Sequence, residues 1–163
     1  MTGSRHPLFA RLALVGDRRG VGTLAYRLNV NRPMVRLMTR GHVYSDPRWL
    51  TPERALDKWA VIQAPGARYA GIRLVTGELD PFTDRQAFVN AVLRVADPPL
   101  LVYGAQTPRK SRAEMEALAE VDHVETARLD RGKLAVHEEF PDAVACAVKR
   151  WLAARAHGLT IRT

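Results

Sequence analysis

The sequence predicts an α/β chain in two parts, a helical region over residues 1–96 and a βαβα region over residues 97–163. Three observations lead to this. Leu100-Leu101-Val102-Tyr103 is a continuous apolar run between two prolines and Gly104, the pattern of a strand buried on both faces of a parallel sheet. Residues 124–129 alternate enough for a second strand, and a helical stretch separates the two. Before residue 98 the apolar residues recur at helical spacing, with no strand-rich region.

The elements follow in order. Residues 8–15 and 21–40 read as helical. In the second, Leu24, Leu28, Val35 and Met38 recur at roughly helical spacing, and Pro33 is expected to break or kink the run. His42 to Pro47 reads as a turn. Thr51-Pro52-Glu53 is a helix start, with a hydroxyl cap, proline at the first helical position and an acid in the first turn. Its apolar stripe is Leu56, Trp59, Ala60 and Ile62, and it ends near Ala64-Pro65-Gly66. Residues 67–76 form a short amphipathic element around Tyr69, Ile72 and Val75. Thr83-Asp84 opens another helix, with Phe88, Val89, Val92 and Leu93 as its stripe, and Asp97-Pro98-Pro99 closes it.

Residues 99–103 and 124–129 are then expected as adjacent parallel strands, joined by a right-handed crossover through a helix at 111–120. Ser111-x-x-Glu114 reads as the capping box of that helix. Pro141 begins the last helix, with the stripe Val144, Val148, Trp151 and Leu152. Two parallel strands are a poor domain by themselves, because parallel sheets normally have more strands and both faces covered. Partner strands are therefore expected, from another chain or from a missing N-terminal half.

Composition bounds the function. The 163 residues are 47% hydrophobic and 26% charged, values of an ordinary soluble globular protein with a core. No apolar run approaches the ~18 residues that span a membrane, so no membrane partner is expected. No convincing signal peptide opens the chain, so a cytoplasmic location is expected. The single cysteine, Cys146, excludes an internal disulfide and a cysteine metal cluster, and its Ala/Val-rich surroundings predict a buried thiol. The net charge is +8, and residues 1–40 hold eight arginines against the single acid Asp17. Such asymmetry fits nucleic acid, an anionic membrane surface or a plain solvated face. Only Phe9 and Tyr26 among these arginines could stack on bases, which disfavours nucleic acid.

Candidate chemistry centres on His137, which precedes Glu138-Glu139-Phe140-Pro141. An imidazole there suits general-base work near neutrality. The other histidines, His6, His42, His123 and His157, share no metal-ligand spacing, and neither a metal nor a cofactor is expected. The serines, Ser4, Ser45 and Ser111, lack the glycine-flanked strand-to-helix turn of an exposed nucleophile, and no Gly-x-Ser-x-Gly occurs. Gly77-Glu78-Leu79-Asp80-Pro81 reads as a turn rather than a carboxylate pair. Gly20-Val21-Gly22 is too short for a phosphate loop.

The stretch LLVYGAQTP, followed by GKLAVHEEFPDAVACAVKRWL, resembles the C-terminal portion of an α/β-hydrolase-fold protein. Residues 98–152 carry the motif. On this resemblance the helical region is lid-like, and residues 97–163 are a remnant of the hydrolase core. The Gly104–Pro108 turn follows the penultimate strand, where the family's acid is expected near Gln106 or Thr107. His137 is the candidate general base of a nucleophile–acid–histidine triad for ester or amide hydrolysis. Gln106 departs from the pattern, since an amide cannot stabilise an imidazolium by charge. Glu138 and Glu139 read as favouring a helix N-terminus, and the nucleophile elbow is expected upstream of Met1.

Three readings follow. The first is the lid and C-terminal core of a hydrolase, incomplete and inactive alone, which takes a small-molecule substrate only when a missing half completes it. The second is a non-catalytic binding or assembly module that self-associates through an open sheet edge. The third is a basic nucleic-acid-binding protein using residues 5–40.

Overall fold

The computed structural model describes residues 18–82 and 84–159. The expected helix at 8–15, together with His6, Ser4 and Thr83, lies outside the described residues. By contacts the chain forms two compact units. One holds residues up to Met38 and Leu50–Asn90. The other holds Thr39–Trp49 and the residues from Ala91 onward. The 39–49 segment thus groups with the strands, although both its flanks belong to the helical unit.

The helical unit begins with α1 (Arg19–Asn29) and α2 (Arg32–Met38). The run breaks at Val30 and Asn31, just ahead of Pro33, which sits in the first turn of α2 where a missing N–H costs little. The α3 helix (Pro52–Gln63) starts as predicted, with Thr51 Oγ1 accepting from Arg54 N at 3.4 Å and Pro52 at the first position. Its half-buried face is Ala55, Trp59 and Ile62, whereas Leu56 points outward. The α4 helix (Ala67–Val75) follows Gly66, whose φ of 86° supplies the left-handed turn. Tyr26 ties α1 to these helices by donating its hydroxyl to Ile62 O at 3.1 Å, and its ring fills the space a side chain at Gly71 would need. The Gly77–Pro81 segment is the expected turn. Glu78 pairs with Arg73 at 3.1 Å, and Asp80 Oδ1 accepts from Phe82 N at 3.0 Å. Helix α5 (Arg85–Leu93) is capped by Asp84, whose Oδ1 accepts from Ala87 N at 2.8 Å.

The second unit carries β1 (Leu100–Gly104), α6 (Arg109–Ala119), β2 (Glu125–Leu129), α7 (Val136–Glu139) and α8 (Pro141–Leu159). The strands are adjacent and parallel, with Leu100 opposite Glu125 and Gly104 opposite Leu129. All three helices touch β1. The buried apolar side chains among the described residues lie in this unit: Tyr44, Tyr103, Val124, Ala135, Val136 and Ala147. The start of β1 is anchored by α8, since Trp151 Nε1 and Arg155 both donate to Pro98 O.

Three local expectations are corrected. Helix α6 begins at Arg109 behind Pro108, with Arg112 N donating to Pro108 O at 2.9 Å, and no side chain caps it. Ser111 is therefore the third helical residue and Glu114 lies deeper still, so the box does not form. Cys146 is exposed. The packed face of α8 is Val144, Ala147, Val148, Trp151 and Arg155, and Cys146 falls on the opposite side at 100° per residue. Leu152, at the edge of that face, is 52% exposed.

Candidate functional site

The site is built at the carboxyl ends of β1 and β2, where ligands bind in open α/β sheets. Two loops meet there, Gly104–Pro108 after β1 and Asp130–Ala135 after β2. They are locked by backbone contact. A Cβ at Gly104 would lie 2.1 Å from Gly132 O, so only glycine permits the approach. Gly132 has φ 99°, and a side chain there would strike Val136. Gln106 brackets this glycine, with its N–H donating to Gly132 O at 3.0 Å and its side-chain oxygen accepting from Gly132 N at 3.2 Å. The amide at the position where the resemblance expects an acid thus acts as a loop clamp through its oxygen. Thr107, 2% exposed, donates to Lys133 O at 3.4 Å.

The Thr39–Trp49 segment is strapped across the second loop and α7. Its π-helical turn (Thr39–Val43) presents two carbonyls. Lys133 Nζ donates to Arg40 O at 2.8 Å, and Ala135 N donates to Val43 O at 3.1 Å. Tyr44, 1% exposed, stacks on Trp49 with centroids 4.4 Å apart and donates its hydroxyl to Glu138 Oε2 at 2.8 Å. The Glu139 carboxylate accepts from Ser45 N, Ser45 Oγ and Asp46 N, each at 2.9 Å. Asp46 in turn accepts from Arg48 N at 2.8 Å and Nε at 3.1 Å, and these hydrogen bonds hold its carboxyl below the usual range.

His137 sits in the middle of this anchored segment. Its side chain is 68% exposed, and its Nε2 lies 3.8 Å from Glu138 Oε1. Among the described residues no hydroxyl or thiol hydrogen-bonds to it. The one serine hydroxyl of the strap, Ser45 Oγ, is turned to Glu139. Glu138 and Glu139 are thus receptors for the strap rather than mere companions of a helix end. The remaining histidines do not converge: His42 is exposed in the π-turn, and His123 bonds Val95 O at 2.6 Å. The His157 side chain lies outside the described residues. Among the described residues no three metal-ligating side chains cluster, and no helix is long and apolar enough to cross a membrane.

Sequence reasoning singles out His137 and both loops but not Tyr44, Lys133 or the contacts of Glu139 with the strap. The only signal available was the double acid ahead of Pro141, which reads equally well as helix-end chemistry. No family model matches the chain, and neither the curated proteins nor the solved structures provide a match.

Proposed function

We propose that this chain supplies the histidine-bearing C-terminal part of an α/β-hydrolase-type catalytic unit, in which His137 is the general base and further sheet strands bring the nucleophile. The observation behind this is the state of β1. Leu100, Leu101 and Val102 form a run fit for two-sided burial, yet they are only half-buried in a sheet that has two strands among the described residues. Parallel strands of this kind are covered on both faces in complete domains. The clamped loops support the reading as well, since they hold His137 exposed at the carboxyl end of the sheet, where a substrate would meet it. In such a unit His137 would take the proton from an attacking hydroxyl or thiol and return it to the leaving group. An acid to orient the imidazole would come from outside the Gln106 turn. The cytoplasm is the proposed location.

A second reading, a non-catalytic assembly module, is favoured by Gln106 and by the engagement of Ser45 Oγ with Glu139. One experiment separates the two. The segment encoded upstream of Met1 is joined to this chain, and hydrolysis of activated esters is measured with and without His137→Ala. The hydrolase reading expects turnover in the extended protein and a loss of about 10²–10⁴-fold on removing the imidazole. An extended protein that is inactive, or indifferent to His137→Ala, refutes it in favour of the assembly reading. The 163-residue chain by itself is expected to show no turnover above background.

A further inference from the structure

The catalytic reading leaves the charge asymmetry and the outward faces of α1 and α2 unused. Between Arg18 and Met38 there are five arginines and no acid. Helix α1 turns Gly22 and Tyr26 inward, toward Ile62 and Gly71. Its opposite side presents Val21, Leu24 and Leu28, which are 54%, 61% and 66% exposed. At 100° per residue these three fall within an arc of about 60°. They form a continuous apolar stripe, flanked by the exposed residues Arg18 and Arg27. Helix α2 also exposes apolar residues, with Met34, Leu37 and Met38 41%, 65% and 50% exposed. Its exposed Arg32 and Arg36 lie on the opposite side at 100° per residue, with Arg32 5.5 Å over the Trp59 ring.

We propose that α1 and α2 form a docking surface for an anionic lipid membrane, with the apolar stripe seated among the acyl chains and the arginines at the headgroups. A helix with an apolar stripe, a basic flank and no acid is the composition that binds in the plane of such an interface. Spanning a bilayer and lying on it are separate physical cases, and the lack of a spanning helix bears only on the first. Charge complementarity selects the anionic surface over a second copy of this equally basic chain. Nucleic acid would also answer the charge, but it gives no place to six exposed aliphatic side chains. The one aromatic side chain in the stretch, Tyr26, is engaged inside the helical unit and is not offered to bases.

The test is co-sedimentation of the full chain with phosphatidylcholine vesicles that contain or lack phosphatidylglycerol. Binding is expected only with the anionic lipid, and each basic residue near the surface contributes about fivefold. The double variant Leu24→Ser/Leu28→Ser removes exposed groups only and is expected to lower binding at least about tenfold. Leu152→Ser, an exposed leucine of the other unit, is expected to leave it unchanged. As a second measurement, a polarity-sensitive dye is placed on Leu28→Cys in a Cys146→Ser background. Its emission is expected to shift to the blue with anionic vesicles, whereas a dye on Leu152→Cys does not shift. Equal binding to both vesicle types, wild-type binding by the double serine variant, an unshifted Leu28→Cys dye, or tighter binding to single- or double-stranded DNA than to the vesicles would each overturn the proposal.

Discussion

Replacing Glu139 with alanine tests whether the strap is a structural anchor. In the wild-type chain one carboxylate receives three donors, Ser45 N, Ser45 Oγ and Asp46 N, all at 2.9 Å. Hydrogen bonds to a charged acceptor contribute about 1.5–3 kcal/mol each, and a donor left without a partner costs about 1–3 kcal/mol when it cannot reach water. Ser45 and Asp46 are half-buried, so water recovers part of the loss. The net destabilisation for Glu139→Ala is therefore about 2–4 kcal/mol. Glu139→Gln keeps one acceptor oxygen and loses the charge, so about half that loss is expected. Urea unfolding of the full chain measures the total. Hydrogen exchange of the Ser45 and Asp46 amides localises it, because both should lose protection before the strands do. Unchanged unfolding together with unchanged exchange at these two amides would show that the strap is held without Glu139, by the Tyr44–Glu138 bond, the Tyr44–Trp49 stack and the carbonyls of Arg40 and Val43.

Three further outcomes can be checked. Gly104→Ala places a Cβ 2.1 Å from Gly132 O, so it should cost at least about 3 kcal/mol, or roughly 6–12 °C in Tm by differential scanning calorimetry; a variant as stable as wild type would disprove the close approach of the loops. Asp46, held low first by its side-chain bond to Arg48, adds stability that is present above the ordinary value of 3.8 and is lost as pH falls through its lowered folded value. NMR titration should find its midpoint below 3.8 and rising in Arg48→Ala; an unmoved midpoint contradicts the assigned cause. Finally, the outer edge of β1 should pair between molecules, and salt should promote this as the Debye length shortens to ~3 Å at 1 M; light scattering from a clean monomer across the salt series would count against an open edge.

What could be read in the sequence was what short-range chemistry determines. The caps at Thr51 and Asp84 each rest on a side chain reaching a backbone N–H three residues away. The strand pair rests on one apolar run and one alternating run, and the parallel direction follows from the helix between them. His137 was legible as an isolated imidazole ahead of a proline-started helix. The strap was not, because its acceptors lie 93 or 94 residues away and no periodicity links Tyr44 to Glu138. The start of α6 was misread because a serine with an acid three residues on mimics a capping box, whereas the buried Thr107 and the fixed φ of Pro108 set the turn. Cys146 looked buried because composition cannot say which side of an Ala/Val-rich helix faces the core.

The pairing of residues 39–49 with residues 133–139 also has a consequence for the order of events during synthesis. At about 5–20 residues per second, the ribosome makes Glu138 some 5–20 s after Tyr44. Through that interval the strap has no receptor, while the residues of α1 to α5 have already been made. Closing so long a loop is slow in kinetic terms, although each doubling of its length adds only about 0.6 kcal/mol to its equilibrium cost. A chain circularly permuted to begin at Leu50 would end on residues 39–49, so Glu138 would be made before Tyr44 and the strap would emerge onto a receptor already synthesised. Its nascent form should spend far less time with Tyr44 and Trp49 uncovered, because both would be among the last residues made.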